Sequence, residues 1–268
     1  MKQFEKVNLD SLKEFREGYF NSIVFAQELF IEWMVAKGEC YLIIDNQEMI
    51  RKVIGYYIIS EDHILIEFYL VPNSLTQKEK IFKQIIIEKS ISKAYCKSFD
   101  PILLACCHTF SESNNVIGTL FRDYLLNTYI KLDSNISVRL AKEGDINFLL
   151  TFDSDLYETP EELRFTVSNK ALYMFEKEKE LIGCGYLIRI LPDKKDYDIG
   201  MWVNPEFRKQ GYATQIIAYL KEYCLLHGYR SICGCAVENI ASRRTLEKNG
   251  FVSKYCLLEF DFQTILLK

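Results

Sequence analysis

Residues 198–227 constrain the fold more than any other stretch. An apolar run, DIGMWVNP, stops at a proline; a short polar loop follows, and then a long helical pattern. Pro205 has no N–H to give to a sheet ladder, so a strand ends there. Tyr212, Ile216, Tyr219, Leu220, Tyr223 and Cys224 recur at helical spacing. They predict a helix from about Gly211 to His227, with Gly228 as its C-terminal cap. The loop Arg208-Lys209-Gln210-Gly211-Tyr212-Ala213 therefore brings the unpaired N–H groups of a helix start to the end of a strand. Gly211 lets the backbone come close to a ligand, and Ala213 keeps the next turn small. With the helix dipole and two cations, these groups suit an anion such as a pyrophosphate. Taken alone, the same residues also read as an ordinary strand-to-helix turn.

A similar order of elements occurs earlier in the chain. Ile54 to Ile59 reads as a strand, Ile64 to Pro72 (ILIEFYLVP) as another, and Gln77 to Lys93 as a charged helix; Pro101 to Cys107 reads as a buried strand, followed by a polar segment with Asn114 and Asn115. In the second half the matching pieces are Ile182 to Ile188, Asp198 to Pro205, the long helix, and Ser231 to Val237, followed by a polar segment from Asn239. Duplication of one α/β unit accounts for this order; the alternative is coincidence between two ordinary α/β stretches. The polar stretch Lys131 to Ser137 marks the boundary, giving domains at 1–134 and 135–268. After Pro72, the residues NSLTQKEK contain no glycine and no counterpart of the Arg208–Ala213 loop. The first domain is thus expected to keep the fold and to lack the phosphate loop.

Length and composition agree with two globular domains. The chain has 268 residues, 49% hydrophobic and 26% charged, which is ordinary for globular proteins. A formal net charge of -4 gives no basic face for nucleic acid. No apolar run reaches the ~20 residues needed to span a bilayer, and MKQFEKVNLD lacks the apolar core of a signal peptide. Nine cysteines cannot all pair, and most lie in apolar runs. The expectation is a cytoplasmic protein with reduced thiols, binding neither nucleic acid nor membrane. Cys233 and Cys235 form a CxC pair without a partner pair at zinc spacing, so no metal is expected. The oligomeric state is not legible.

The loop pattern Arg208-x-x-Gly211-x-Ala213 resembles the acetyl-CoA loop of the GNAT acetyltransferase superfamily. DIGMWVNPEF resembles that family's fourth strand. Asn239-Ile-Ala-Ser242-Arg-Arg-Thr-Leu-Glu-Lys248-Asn-Gly250-Phe251 resembles its second coenzyme motif, in a form similar to ribosomal-protein N-terminal acetyltransferases. The resemblance covers about Ser137 to Phe262, including SVRLAKEGD as an opening strand. It implies an α+β fold of tandem GNAT-like domains, each a splayed, mostly antiparallel sheet flanked by helices. It further implies that pantetheine pairs with backbone at Met201, Trp202 and Val203. Pyrophosphate then meets the loop of Arg208, Lys209, Gln210, Gly211, Tyr212 and Ala213, and Asn239 and Ser242 lie near the coenzyme. Helix capping is the other reading of Asn239 and Ser242.

Direct attack of an amine on a thioester is the reaction this resemblance implies, with acetyl-CoA as co-substrate and a primary amine of a small molecule or peptide as acceptor. A lysine-like ammonium titrates near ~10.4 and must lose a proton first. Asp198 is the candidate base; a solvated strand-end aspartate is the alternative. Many relatives carry a tyrosine at the position of Leu246, so no general acid is assigned. Asp153, Asp155, Tyr157 and Glu158 are candidates for the acceptor site. Thr159-Pro160-Glu161-Glu162 reads instead as a helix start, with Thr159 as cap. The absent tyrosine keeps a second function open, a non-catalytic acyl-CoA-binding or regulatory module.

Overall fold

The computed structural model describes residues 2–46, 51–125, 130–152, 157 and 159–263. Along the first half run β1 (Gln3–Val7), α1 (Lys13–Ser22), α2 (Leu29–Lys37), β2 (Glu39–Asp45), β3 (Lys52–Ile59), β4 (Ile64–Leu70), α3 (Lys78–Glu88), β5 (Lys93–Lys97), α4 (Pro101–Phe110) and β6 (Ser113–Tyr124). The second half gives β7 (Ile136–Leu140), α5 (Glu143–Leu149), α6 (Pro160–Ser168), β8 (Leu172–Lys177), β9 (Glu180–Arg189), β10 (Asp196–Val203), α7 (Tyr212–Leu226), β11 (Arg230–Ala236), α8 (Ile240–Lys248) and β12 (Phe251–Asp261). Short 3-10 turns aside, the order of strands and helices is the same in both halves.

One expected element is corrected. Pro101 to Cys107 forms helix α4, not a strand. Asp100 is its N-cap, accepting from the Leu103 N–H, and Pro101 occupies the first turn, where its missing N–H costs nothing. The run ILLACC is apolar because Leu103, Cys106 and Cys107 are fully buried. A short buried helix and a buried strand look alike by hydrophobicity. The strand of this region is β5, just upstream.

The chain forms two compact units. One comprises Met1–Thr119 with Tyr255–Lys268, the other Leu120–Lys254. The sheet of the first has the order β1-β2-β3-β4-β5-β12, and that of the second β6-β11-β10-β9-β8-β7. Each unit thus takes a strand from the other half of the sequence. In the first unit Leu257–Asp261 of β12 runs antiparallel to β5. The core there gathers Tyr57, Phe68, Leu70, Phe82, Ile85, Phe260 and Phe262. In the second unit, Ile199, Ile216, Ile217, Leu220, Phe251 and Phe121 fill the layer under α7. A second layer, with Ile146, Leu149, Leu163, Val167 and Trp202, packs α5 and α6 on the opposite face.

Candidate active site

In the second unit, β10 pairs antiparallel with β9 from Tyr197 to Val203. With β11 it pairs in parallel from Asp196 to Asp198 alone. Past Asp198 the two strands separate, and one side of β10 loses its ladder. Strand alternation fixes which groups face the gap. The Asn204 N–H donates to the Ile182 carbonyl, so residues of that parity, Gly200 and Trp202 included, point their backbone at β9. Ile199, Met201 and Val203 therefore direct theirs into the splay. The Val203 carbonyl is taken by Arg208 Nε at 3.1 Å. Trp202 differs from its two neighbours: its backbone faces β9 and its side chain is buried under α5 and α6.

The splay leads to the start of α7. Pro205–Phe207 form one 3-10 turn, with Asn204 capping it through the Glu206 N–H. Lys209 then adopts a left-handed conformation at φ 63°, and Gly211 does so at φ 87°. Gly211 is the N-cap of α7, and no side chain caps that helix. The first-turn N–H groups are consequently left for solvent or an anion. A Cβ at Gly211 meets nothing within 4 Å, so backbone conformation, not crowding, demands glycine here. Arg208 to Gly211 are all exposed. Tyr212 is buried, edge-on to Phe207, with the Lys177 ammonium over its ring. Ala213 follows it in the first turn of α7. Beside Gly211 lies an open cleft of about 540 Å³, lined by Ile130, Lys131, Asp133, Thr214, Gln215 and Lys248.

At the second motif, Asn239 caps α8: its Oδ1 accepts from the Ser242 N–H at 3.0 Å. The capping reading is therefore realised for Asn239, whose amide nitrogen stays exposed at the end of β11. Leu246 is buried in the core under α7.

The other face of β10 carries Asp198, Gly200 and Trp202. Asp198 is buried, at the last position of the pairing with β11. Tyr186 of β9 stands directly opposite Gly200, and its ring lies over that glycine; a Cβ at Gly200 would fall 2.6 Å from Tyr186 Oη. Burial, and then the charge of Asp198, hold the Tyr186 phenol well above its ordinary value, so it remains neutral. Tyr157 packs near it, ring centroids 6.4 Å apart, and burial raises that phenol too. Phe152 closes the layer against Trp202 at 4.9 Å. Asp153, Asp155 and Glu158 lie outside the described residues. Thr159 caps α6 through the Glu162 N–H, with Pro160 in the first turn, as the sequence predicts. Sequence reasoning missed Tyr186. The available signal was Gly200, since a glycine inside a strand marks a close approach of another group.

The first unit carries the equivalent positions in a different state. Gly55 pairs with Leu70 as Gly183 pairs with Val203, which aligns Glu67 with Gly200 and Ile58 with Tyr186. β4 and β5 also part early, pairing only at Ile64–Lys93 and Leu65–Ala94. There, however, the fully buried Lys97 of β5 reaches across, donating to the Ile66 carbonyl at 3.3 Å and to Gln27 Oε1 at 2.9 Å. Glu67, also fully buried, accepts from Arg16, Gln27 and Tyr56.

Comparison with known proteins identifies the family. The domain described as "Acetyltransferase (GNAT) domain" matches residues 8–152, and "Acetyltransferase (GNAT) family" matches 143–251. A curated relative, the ribosomal-protein-serine acetyltransferase of Escherichia coli (strain K12), is 32% identical over 93 residues. That match covers 34% of this chain and 52% of the relative, so the chain spans about half of its length. Among solved structures, a GNAT-family acetyltransferase from Colwellia psychrerythraea has a TM-score of 0.86 at 18% identity, covering 97% of this chain and 99% of the other. A tandem GNAT protein from the clavulanic acid biosynthesis pathway has a TM-score of 0.61 at 9% identity, covering 97% and 98%. At those identities the structures speak for the fold, which is the tandem GNAT architecture; together with the two domain matches, they mean that this chain belongs to the GNAT acetyltransferase family.

Proposed function

We propose that the second unit transfers an acetyl group from acetyl-CoA to a primary amine of a small molecule or peptide. The observation that carries this reading is the continuous track of backbone N–H groups: Met201 and Val203 facing the splay, then the uncapped start of α7 behind Gly211. Pantetheine suits the first part as an added strand, and pyrophosphate suits the second. The nearby cations Arg208 and Lys209 add charge where phosphates carry it.

In the reaction, the amine nitrogen bonds to the thioester carbon, the C–S bond breaks, and sulfur leaves with the electron pair. One proton must leave an ammonium acceptor beforehand, and Asp198 is placed to take it, directly or through water. The thiolate needs little help in leaving, since a thiol titrates near ~8.5. That is why the buried Leu246, in place of a tyrosine, does not argue against turnover.

The first unit is, in this proposal, a copy that kept the fold and lost the coenzyme. Its splay is crossed by Lys97, and its loop has no glycine. The described cysteines are free, in keeping with a reducing, cytoplasmic setting. Among the described residues no helix is long and apolar enough to cross a membrane, and no cluster fit for a metal is found.

Calorimetric titration tests the proposal: acetyl-CoA should bind at one site per chain and raise the melting temperature. Two equivalent sites would overturn the account of the first unit. No heat and no thermal shift would overturn the coenzyme reading, and with it the transferase. Binding without turnover on any amine would leave the acyl-CoA-binding module as the function.

A further inference from the structure

Resting on that proposed activity, we infer that Tyr186 and Asp198 form a two-point seat for the attacking amine and thereby restrict the acceptor to primary amines. No hydrogen bond to a described residue holds Tyr186 Oη, and the side chain is half-buried. Its position is built, not incidental. Gly200 has no side chain, and the phenol fills the space that one would take. Asp198 is two residues along the same face of β10.

Among the described residues, the aromatic rings of Phe152, Tyr157 and Trp202 pack in the same layer. The first unit shows the same cross-strand position occupied. Glu67 stands where Gly200 stands, Ile58 where Tyr186 stands, and Arg16 of α1 neutralises the glutamate. The open floor with a phenol beside a carboxylate belongs to the second unit.

A neutral primary amine has two N–H bonds and one lone pair. If Asp198 accepts from one N–H and Tyr186 Oη from the other, the lone pair is left pointing away from both, toward the strand. The amine reaches this state by giving its third proton, the one facing away from both contacts, to water. The N–C bond then forms as the C–S bond breaks. The second proton leaves with the cationic amide nitrogen's collapse to the neutral amide, and the thiolate is protonated to the thiol. A secondary N-methylamine keeps only one N–H as the free base and must give up one of the two contacts. Tyr186 is thus a specificity-determining residue as well as an orienting one.

The test compares kcat/KM for a primary amine and its N-methyl derivative, in the parent, Tyr186→Phe and Gly200→Ala. The probes are acetyl-CoA with putrescine, glucosamine and a seryl tripeptide amide. The parent should favour the primary amine by about tenfold or more, the scale of one hydrogen bond made in the transition state. Tyr186→Phe should lower kcat/KM for the primary amine and narrow the preference to within about twofold, with the acetyl-CoA thermal shift unchanged. Gly200→Ala should do the same, because its Cβ displaces the ring. Equal losses on both amines, with the preference intact, would mean that Tyr186 merely packs, and would overturn this inference alone. A parent that binds acetyl-CoA but turns over none of the probes would overturn the inference together with the proposed activity.

Discussion

Glu67 offers a test of the idea that the first unit has exchanged a site for a structural knot. Its carboxylate receives four donors: Arg16 Nη2 at 2.7 Å and Gln27 Nε2 at 2.7 Å on one oxygen, Arg16 Nε at 3.1 Å and Tyr56 Oη at 2.7 Å on the other. An amide NH2 in place of the first oxygen would face two donors; in place of the second it would face Arg16 Nε, while the Tyr56 hydroxyl can turn to accept. The amide also removes the charge opposite Arg16 and near Lys97. Burial alone would raise the Glu67 carboxyl, but Arg16, Lys97 and the Tyr56 hydroxyl outweigh it, and the group sits below its usual range. Glu67→Gln should therefore cost about 3–5 kcal/mol, the scale for breaking a buried ion pair from one side. That corresponds to a fall in melting temperature of roughly 10 °C for a domain of this size. Glu32 shares the same arginine and is the contrasting case. Burial raises its carboxyl, Arg16 only partly offsets this, and Glu67 adds to it. Ionised Glu32 is thus held at a cost. Glu32→Gln keeps the oxygen that Gln27 and Arg16 share and sets its NH2 against one Arg16 contact at 3.0 Å, so it should cost less than Glu67→Gln. Scanning calorimetry of the two variants decides the matter. The pH dependence adds a check. A depressed carboxyl contributes stability above its unfolded value and loses it as pH falls through the folded one. The parent should accordingly lose stability on acidification below the ordinary glutamate range more steeply than Glu67→Gln. Equal losses for the two substitutions, or no loss for Glu67→Gln, would refute the reasoning.

Gly211→Glu should abolish acetyl-CoA binding while leaving the fold intact, because the added side chain points into open space where the anion belongs; unchanged affinity by titration would reduce the loop to a turn. Asp198→Asn should lower turnover at neutral pH by about 100-fold or more, with the defect shrinking as pH rises and more acceptor arrives neutral; a rate equal to the parent at every pH would leave Asp198 a structural residue. Leu246→Tyr should give no gain in turnover and should lower the melting temperature, since a larger side chain must enter a filled core at a cost of about 1–3 kcal/mol; a tenfold faster enzyme would contradict the account of the leaving group.

Much of the backbone from β10 to α7 was legible in the sequence because it depends on backbone rules with strong residue signatures. Pro205 ends β10, Gly211 takes the left-handed φ, and the stripe from Tyr212 to Cys224 makes α7, within one or two residues of the expected bounds. The repeated order of elements was legible for the same reason. Helix α4 was misread because ILLACC has no polar face to reveal a period. The cue lay in Asp100-Pro101, a cap followed by a first-turn proline. The acceptor side was hardly legible. Tyr186 and Gly200 meet through strand pairing, which brings together residues fourteen apart whose relation no local pattern states. The exchange of β6 and β12 between the units was equally hidden, because a strand reads the same whichever sheet receives it.

The two units together explain how one copy can lose its site and still be kept. A splay between parallel strands leaves backbone groups without partners, and buried groups of that kind are costly unless something pairs with them. In the second unit the proposed partner is the coenzyme, which binds and leaves, so its opening must tolerate both states. In the first unit the chain supplies the partner itself: Lys97 reaches the Ile66 carbonyl, and Gln27 passes the contact on to Glu67, Arg16 and Glu32. Such a network is stable only when complete, because each member left alone is a buried charge. Restoring a coenzyme site there would require removing Lys97 and adding a glycine to the loop after Pro72. Lys97→Met alone should weaken the first unit and still confer no second acetyl-CoA site. If that single change did create one, the side chain would be the only barrier, and the loop would count for nothing.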